Sequence, residues 1–150
     1  MTPIQQIILL LFALFNLLFT IKGFQESMKK RTFALCYALF PLGMFVWGDA
    51  ALLGIFWVVV SLVSVYFQNW ILFCLLFWVF WIIRSLGETM YWFIEQFSSS
   101  HRNPPHTLPG NSIFHDDAIW FAYQVIWQCV SVFSIVLSIY FARLWVLGMS

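Results

Sequence analysis

The stretch WILFCLLFWVFWIIRSLGETMYWFIEQF, residues 70–97, decides the fold of this chain. Its first charged residue is Arg84, so residues 70–83 form an unbroken apolar run rich in aromatic side chains. A transmembrane helix needs about 20 predominantly apolar residues, and this stretch is long enough to supply them. It therefore predicts a membrane-spanning helix, and the three charged residues inside it, Arg84, Glu88 and Glu95, need an explanation.

The composition of the whole chain points to the same environment. Of its 150 residues, 63% are hydrophobic and only 9% are charged, whereas soluble proteins carry about 25% charged residues. So little polar surface cannot cover a soluble core of this size. The formal net charge of +1 gives no reason to expect a nucleic-acid partner, since binding one needs a clustered basic face. The expected partners are membrane lipids and other transmembrane helices.

The apolar runs predict an all-α fold, a polytopic integral membrane helix bundle forming one transmembrane domain over residues 1–150. As a single helix, the run 32–67 would extend about 54 Å, too long for a hydrocarbon core of about 30 Å. We therefore divide it at Trp47-Gly48-Asp49, because Gly and Asp favour turns. If 32–67 is one helix after all, the bundle has four spans. The five predicted spans cover about 3–21, 32–46, 50–67, 70–97 and 117–147, with a loop at about 98–116.

Basic residues give the predicted orientation. Four of the seven Lys and Arg residues are Lys22, Lys29, Lys30 and Arg31. Because cytoplasmic loops are enriched in such residues, the loop over 22–31 is predicted to be cytoplasmic, in a plasma or inner membrane. Five spans then give an N-out/C-in topology and place the loop 98–116 outside.

Ionisable and polar side chains recur at helical spacing along residues 70–97. Arg84 and Tyr91 are seven residues apart, and so are Glu88 and Glu95. Seven residues make nearly two turns, so these four residues share one stripe of the helix. Arg84 and Glu88 are also four apart, where opposite charges can pair and reduce the cost of burying each of them.

The last span offers a face that matches this stripe, with Gln124, Gln128 and Ser131. The seven residues, here called the polar stripe, are predicted to act as a structural lock or as a polar gate. Alternatively, the Arg84 side chain extends to the membrane–water interface, and Glu88 and Glu95 lie where a long span ends. Counted from Trp70, Glu88 lies about 27 Å along the helix, near the boundary, and Glu95 is expected beyond it, close to water.

The predicted loop collects all the histidines of the chain together with two adjacent acids. These residues are His101, His106, His115, Asp116 and Asp117. Imidazole and carboxylate are ligands for zinc, iron or manganese, but the spacing matches no known metal motif. Asp116 or Asp117 is also explained as the N-cap of the last helix.

No catalytic or cofactor motif occurs in the sequence, which contains no GxSxG, P-loop or CxxC. The sequence therefore favours a small non-catalytic membrane protein, acting as an accessory or assembly subunit or as a helix-packed oligomer, and predicts no cofactor. One alternative is a channel or transporter for ions, protons or small solutes that uses Arg84 and Glu88. The other is a metal-dependent membrane enzyme at the loop. A lipophilic ligand among the mid-span tryptophans also stays open.

Overall fold

The computed structural model describes residues 1–114 and 116–148. The all-α class is confirmed, and four helices of the described part are long and apolar enough to cross a membrane. They are α1 (Pro3–Met28), α2 (Trp47–Tyr66), α3 (Trp70–Phe97) and α4 (Ala118–Leu147). Short 3₁₀ helices cover Tyr37–Leu42 and Pro105–Thr107. The chain forms two compact units, Met1–Leu76 and the part from Phe77 onward.

The predicted span over 32–46 was wrong. In place of a membrane-length helix, this segment contains the 3₁₀ helix Tyr37–Leu42 between irregular stretches. Pro41 lies inside that short helix, and Gly43 follows it with a left-handed φ of 70°, which stops helical propagation. The alternative of one continuous helix over 32–67 was wrong as well, although four long helices remain. The N-out/C-in topology was derived from five spans, and it stays a prediction because the four long helices are candidate spans by length and composition only.

The division at Trp47-Gly48-Asp49 was also wrong, because these residues begin α2. The Asp49 carboxylate accepts hydrogen bonds from the backbone N–H groups of Phe45 and Val46, at 2.9 and 3.4 Å. A carboxylate in the first turn also interacts favourably with the helix dipole. The Gly-Asp pair thus marks the start of a helix in this chain.

The first unit is built on close packing of α1 against α2. A Cβ added at Gly23 would lie 2.6 Å from the backbone nitrogen of Ala51 and 2.8 Å from the carbonyl oxygen of Trp47. A Cβ added at Gly54 of α2 would likewise come too close to the side chain of Thr20 of α1. Small residues at such contacts let membrane helices approach closely, so these two glycines set the distance between α1 and α2.

The segment between α1 and α2 folds back onto α2. The indole N–H of Trp57, which is fully buried, donates a 3.1 Å hydrogen bond to the carbonyl oxygen of Leu42. Leu39 and Met44 are fully buried in the same segment, and the backbone of Leu35 pairs with that of Val46. Burial of these apolar side chains replaces the hydrophobic span that the sequence predicted here.

In the second unit, α3 and α4 pack through aromatic and small polar side chains. Trp92 and Trp120 are almost fully buried in one cluster, and Trp92 stacks on Tyr123 with 4.6 Å between ring centroids. Further along, the hydroxyl of Ser131 donates a 2.8 Å hydrogen bond to that of Ser85. This face holds the two helices together at the end where the candidate site lies.

Much of the remaining surface of α3 and α4 is apolar and exposed. Only 11% of the most apolar 18-residue window of α3 is buried within the chain, and 17% of that of α4, compared with 39% for α2. Exposed apolar surface on this scale is not tolerated in water. Both helices need lipid or other helices around them.

Candidate functional site

A connected group of polar side chains in the second unit centres on Asn103, which lies over the end of α3. Its backbone N–H donates a 2.7 Å hydrogen bond to Oε1 of Glu95. Its side-chain amide donates to the Tyr91 hydroxyl, and its carbonyl oxygen accepts from the Trp120 indole N–H at 2.9 Å. Asn103 therefore ties the loop to α3 on one side and to α4 on the other.

The distance of Glu95 along the helix predicts a side chain close to water. The structure differs from this prediction. The side chain is only 4% exposed, because residues after α3 fold back over it. The Asn103 N–H bond stabilises the carboxylate. Position along a helix predicts depth, but it does not predict which loop covers a side chain.

His101 completes the contacts around Glu95. Its ring lies against the indole of Trp120, with 4.3 Å between centroids. Its Nδ1 is 3.0 Å from the backbone carbonyl oxygen of Glu95. Because a carbonyl oxygen only accepts, Nδ1 carries the proton in this contact.

The charge pair predicted at Arg84 and Glu88 is present. The guanidinium of Arg84 lies 3.0 Å from the Glu88 carboxylate, and the two side chains are 23% and 16% exposed. The expected i,i+4 pairing is thus confirmed. Whether the pair acts as a lock or a gate stays a prediction.

The residues of the polar stripe do not form one continuous set of contacts. The Gln124 side chain accepts a 2.6 Å hydrogen bond from Gln96, which the prediction did not include. Ser131 bonds to Ser85, one residue from Arg84. Gln128 lies exposed on α4. The α3 residues that bond to α4, Gln96 and Ser85, are thus each one position along the helix from a residue of the polar stripe.

The loop residues proposed as metal ligands are not gathered at one point by the described structure. His101 is engaged with Trp120 and Glu95, while His106, Asp116 and Asp117 are exposed. His115 lies outside the described residues. Among the residues described, no group of three or more His, Cys, Asp or Glu side chains could hold a metal ion.

The prediction of an N-cap for the last helix is correct for the position of Asp117 but not for a capping side chain. Asp117 is the N-cap of α4, but its side chain forms no capping hydrogen bond within the described part of the chain. Trp120 N–H instead bonds to the backbone carbonyl of Asp117 at 3.2 Å.

A cavity of about 440 Å³ opens beside Glu95 at the end of α3. We call it the α3-end cavity. It combines a buried carboxylate, a guanidinium, three hydroxyls and one aliphatic side chain. Its lining residues are Tyr91, Ile94, Glu95, Ser98, Ser100 and Arg102.

Sequence reasoning missed Asn103 and Arg102 at this site. The one local signal was Pro104, since the residue before a proline is restricted to extended conformations and so has a defined backbone direction. That restriction does not reveal which helix the loop meets.

Comparison of the chain with protein-family models, with curated proteins and with solved structures finds no significant match.

Proposed function

We propose that this protein is a non-catalytic integral membrane protein that assembles with a second copy of itself through one face of α4. The observation that carries the proposal is Gln128. It lies about 15 Å along α4, in the middle of an apolar span, and its exposed side chain makes no hydrogen bond to another described residue. A primary amide in hydrocarbon is costly unless it finds a partner.

The surroundings of Gln128 have the spacing of a helix-packing surface. Exposed residues alternate at intervals of four and three along this side of α4, as in the a and d positions of a coiled coil. Three of them, Val125, Val132 and Ile139, are β-branched and seven residues apart. We call this surface the α4 seam; it consists of Phe121, Val125, Gln128, Val132, Ile135 and Ile139.

The chemistry of Gln128 favours a second copy as the partner. An amide carries both donors and acceptors, so two Gln128 side chains related by a two-fold axis can satisfy each other. Two-fold homodimers are also the commonest oligomers, and they use the same patch on both subunits. The dry, apolar remainder of the α4 seam packs by van der Waals contact.

The experiment is a measurement of self-association in detergent micelles by sedimentation equilibrium. A hydrogen bond of this kind is worth about 0.6–1.7 kcal/mol in membranes, so Gln128→Leu should weaken association about 3- to 20-fold. Gln124→Leu is the matched control, because Gln124 already bonds to Gln96 within the chain. A monomeric wild type, or equal association of wild type and Gln128→Leu, contradicts the proposal.

The sidedness of the membrane belongs to the same proposal. The basic residues Lys29, Lys30 and Arg31 are exposed after α1, which supports a cytoplasmic position by the positive-inside rule. The chain then begins outside in a plasma or inner membrane, and four crossings carry its C-terminus back outside. Labelling of single cysteines by a membrane-impermeant reagent tests each side in turn.

A second candidate function is solute transport along Arg84 and Glu88, which the partly buried ion pair inside α3 supports. On this alternative, the protein in liposomes passes protons or ions, and Glu88→Gln abolishes the flux. Absence of flux in wild-type liposomes excludes it and leaves the assembly role.

A further inference from the structure

We propose that the α3-end cavity binds the zwitterionic headgroup of an aminophospholipid, with its ammonium group on Glu95 and its phosphate on Arg102. This inference does not depend on the α4 seam. It rests on the chemistry of the two charged side chains in the lining of the cavity.

Glu95 provides the cation-binding side. It is 4% exposed and lines the cavity, and its Oε1 accepts the Asn103 N–H. Its other carboxylate oxygen accepts no hydrogen bond from a described residue. A carboxylate has about four acceptor sites, so sites beyond the one used by Asn103 are left on the side of Glu95 that lines the cavity. A ligand ammonium would satisfy them.

Arg102 provides the anion-binding side. It is exposed and lines the same cavity. The ion pairs among the described residues involve Glu26 and Glu88, and none of them engages Arg102. A guanidinium matches the geometry of a phosphate group, and the hydroxyls of Ser98 and Ser100 add further donors nearby.

The cavity is lined by an acid, Glu95, and a base, Arg102, that form no ion pair with each other. It therefore favours a ligand that carries both a positive and a negative charge. The volume of about 440 Å³ lies within the range of small-molecule sites. A phosphoethanolamine group fits this description, since its ammonium and phosphate are joined by a short linker.

The apolar side of the cavity favours a lipid over a free zwitterion. Ile94 lines the cavity and is 60% exposed, and Met90, one turn earlier in α3, is 57% exposed. These side chains continue the apolar surface of α3 from the cavity along the helix. An acyl chain leaving the headgroup would cover them.

The test is a titration of the purified full chain in non-ionic detergent, followed by native mass spectrometry. The probes are a short-chain phosphatidylethanolamine, the matching phosphatidylglycerol and free phosphoethanolamine. We expect phosphatidylethanolamine to bind about tenfold more tightly than phosphatidylglycerol, which lacks the ammonium. Free phosphoethanolamine should bind more weakly, because it lacks the chains.

Variants assign the two charges. Glu95→Gln keeps the shape and the acceptor for Asn103, and it should abolish the preference for phosphatidylethanolamine. Arg102→Gln should weaken both phospholipids alike. Glu26→Gln and Arg143→Gln remove equivalent charges elsewhere in the chain and should change neither affinity.

Equal binding of both phospholipids by the wild type overturns the proposal. Tight binding of free phosphoethanolamine that matches the lipid overturns the assignment to a lipid. If Glu95→Gln does not fold, the wild-type preference and Arg102→Gln still decide the matter.

Discussion

The backbone N–H of Asn103 donates a 2.7 Å hydrogen bond to the carboxylate of Glu95, eight residues earlier in the chain. The bond ties the loop to the end of α3, where Glu95 is only 4% exposed. It also fixes the loop that forms one wall of the α3-end cavity. The stability of the loop and the properties of the cavity are therefore linked.

The hydrogen bond from Trp120 to the Asn103 carbonyl should hold this loop in place. Trp120→Phe keeps an aromatic ring but removes the donor, and a lost hydrogen bond that leaves a buried acceptor costs about 1–3 kcal/mol. We expect faster amide hydrogen exchange in residues 98–104. Trp145→Phe, which changes another tryptophan of α4, should leave the exchange unchanged. Equal exchange in Trp120→Phe and wild type would show that the bond does not hold the loop.

Gly23 should not tolerate a larger side chain. Gly23→Ala places a methyl group 2.6 Å from the backbone nitrogen of Ala51, and overpacking of this kind typically costs about 1–3 kcal/mol. Gly87→Ala is the matched control, since an added Cβ there meets no described atom within 4 Å. It should stabilise α3 by about 0.5–1 kcal/mol. Unfolding in SDS titrations gives both free energies, and equal values would refute the close packing of α1 and α2.

The Arg84–Glu88 pair should show a strongly non-additive mutant cycle. Arg84→Leu and Glu88→Leu each leave one charge in the span without the opposite charge beside it, at an expected cost of about 1–3 kcal/mol, below the range for a fully buried pair. The double variant removes both charges and should be more stable than either single variant. SDS unfolding of the four proteins measures the coupling energy. If the double variant shows the sum of the two single effects on the unfolding free energy, the two charges contribute no coupling energy.

Cys36 should react slowly with alkylating reagents at neutral pH. The residue is 6% exposed, and burial raises the pKa of its thiol, an effect opposed in part by the Leu39 N–H and by the charge of Lys22. The thiolate is the reactive species. A raised pKa lowers its fraction at a given pH, so the alkylation rate should increase only at a higher pH than for an ordinary thiol.

The alkylation measurement uses the Cys74→Ser/Cys129→Ser variant, in which Cys36 is the one thiol left. The same protein unfolded in denaturant is the control, and its rate should increase at lower pH. Identical pH profiles for the folded and unfolded protein would contradict the burial of Cys36.

The sequence predicted the bounds of α3 and α4 well, because each contains an apolar run of membrane-spanning length. Helix α3 was predicted over its observed length, and α4 to within one residue. Helix α1 extends to Met28, beyond the predicted end, and a salt bridge from Lys29 to Glu26 stabilises its last turn. Apolar content alone cannot show how far a helix continues in polar residues.

Where the sequence failed, contacts between distant residues decide the structure. The apolar content of 32–46 predicts a span, but Leu39 and Met44 are buried in a segment that folds back onto α2. Similarly, the burial of Glu95 depends on Asn103, whose position the helical spacing does not specify. The pairing of Arg84 with Glu88 was predictable because it is local.

The measurement that tests the account most directly is cysteine crosslinking along the α4 seam. In a background without native cysteines, single cysteines at positions 121 to 139 of α4 would be oxidised in lipid bilayers. Self-assembly through the α4 seam predicts crosslinked dimers that peak at 121, 125, 128, 132, 135 and 139 and decline at the positions between them. Crosslinking without this periodicity, or its absence along the whole of α4, would contradict the proposed function.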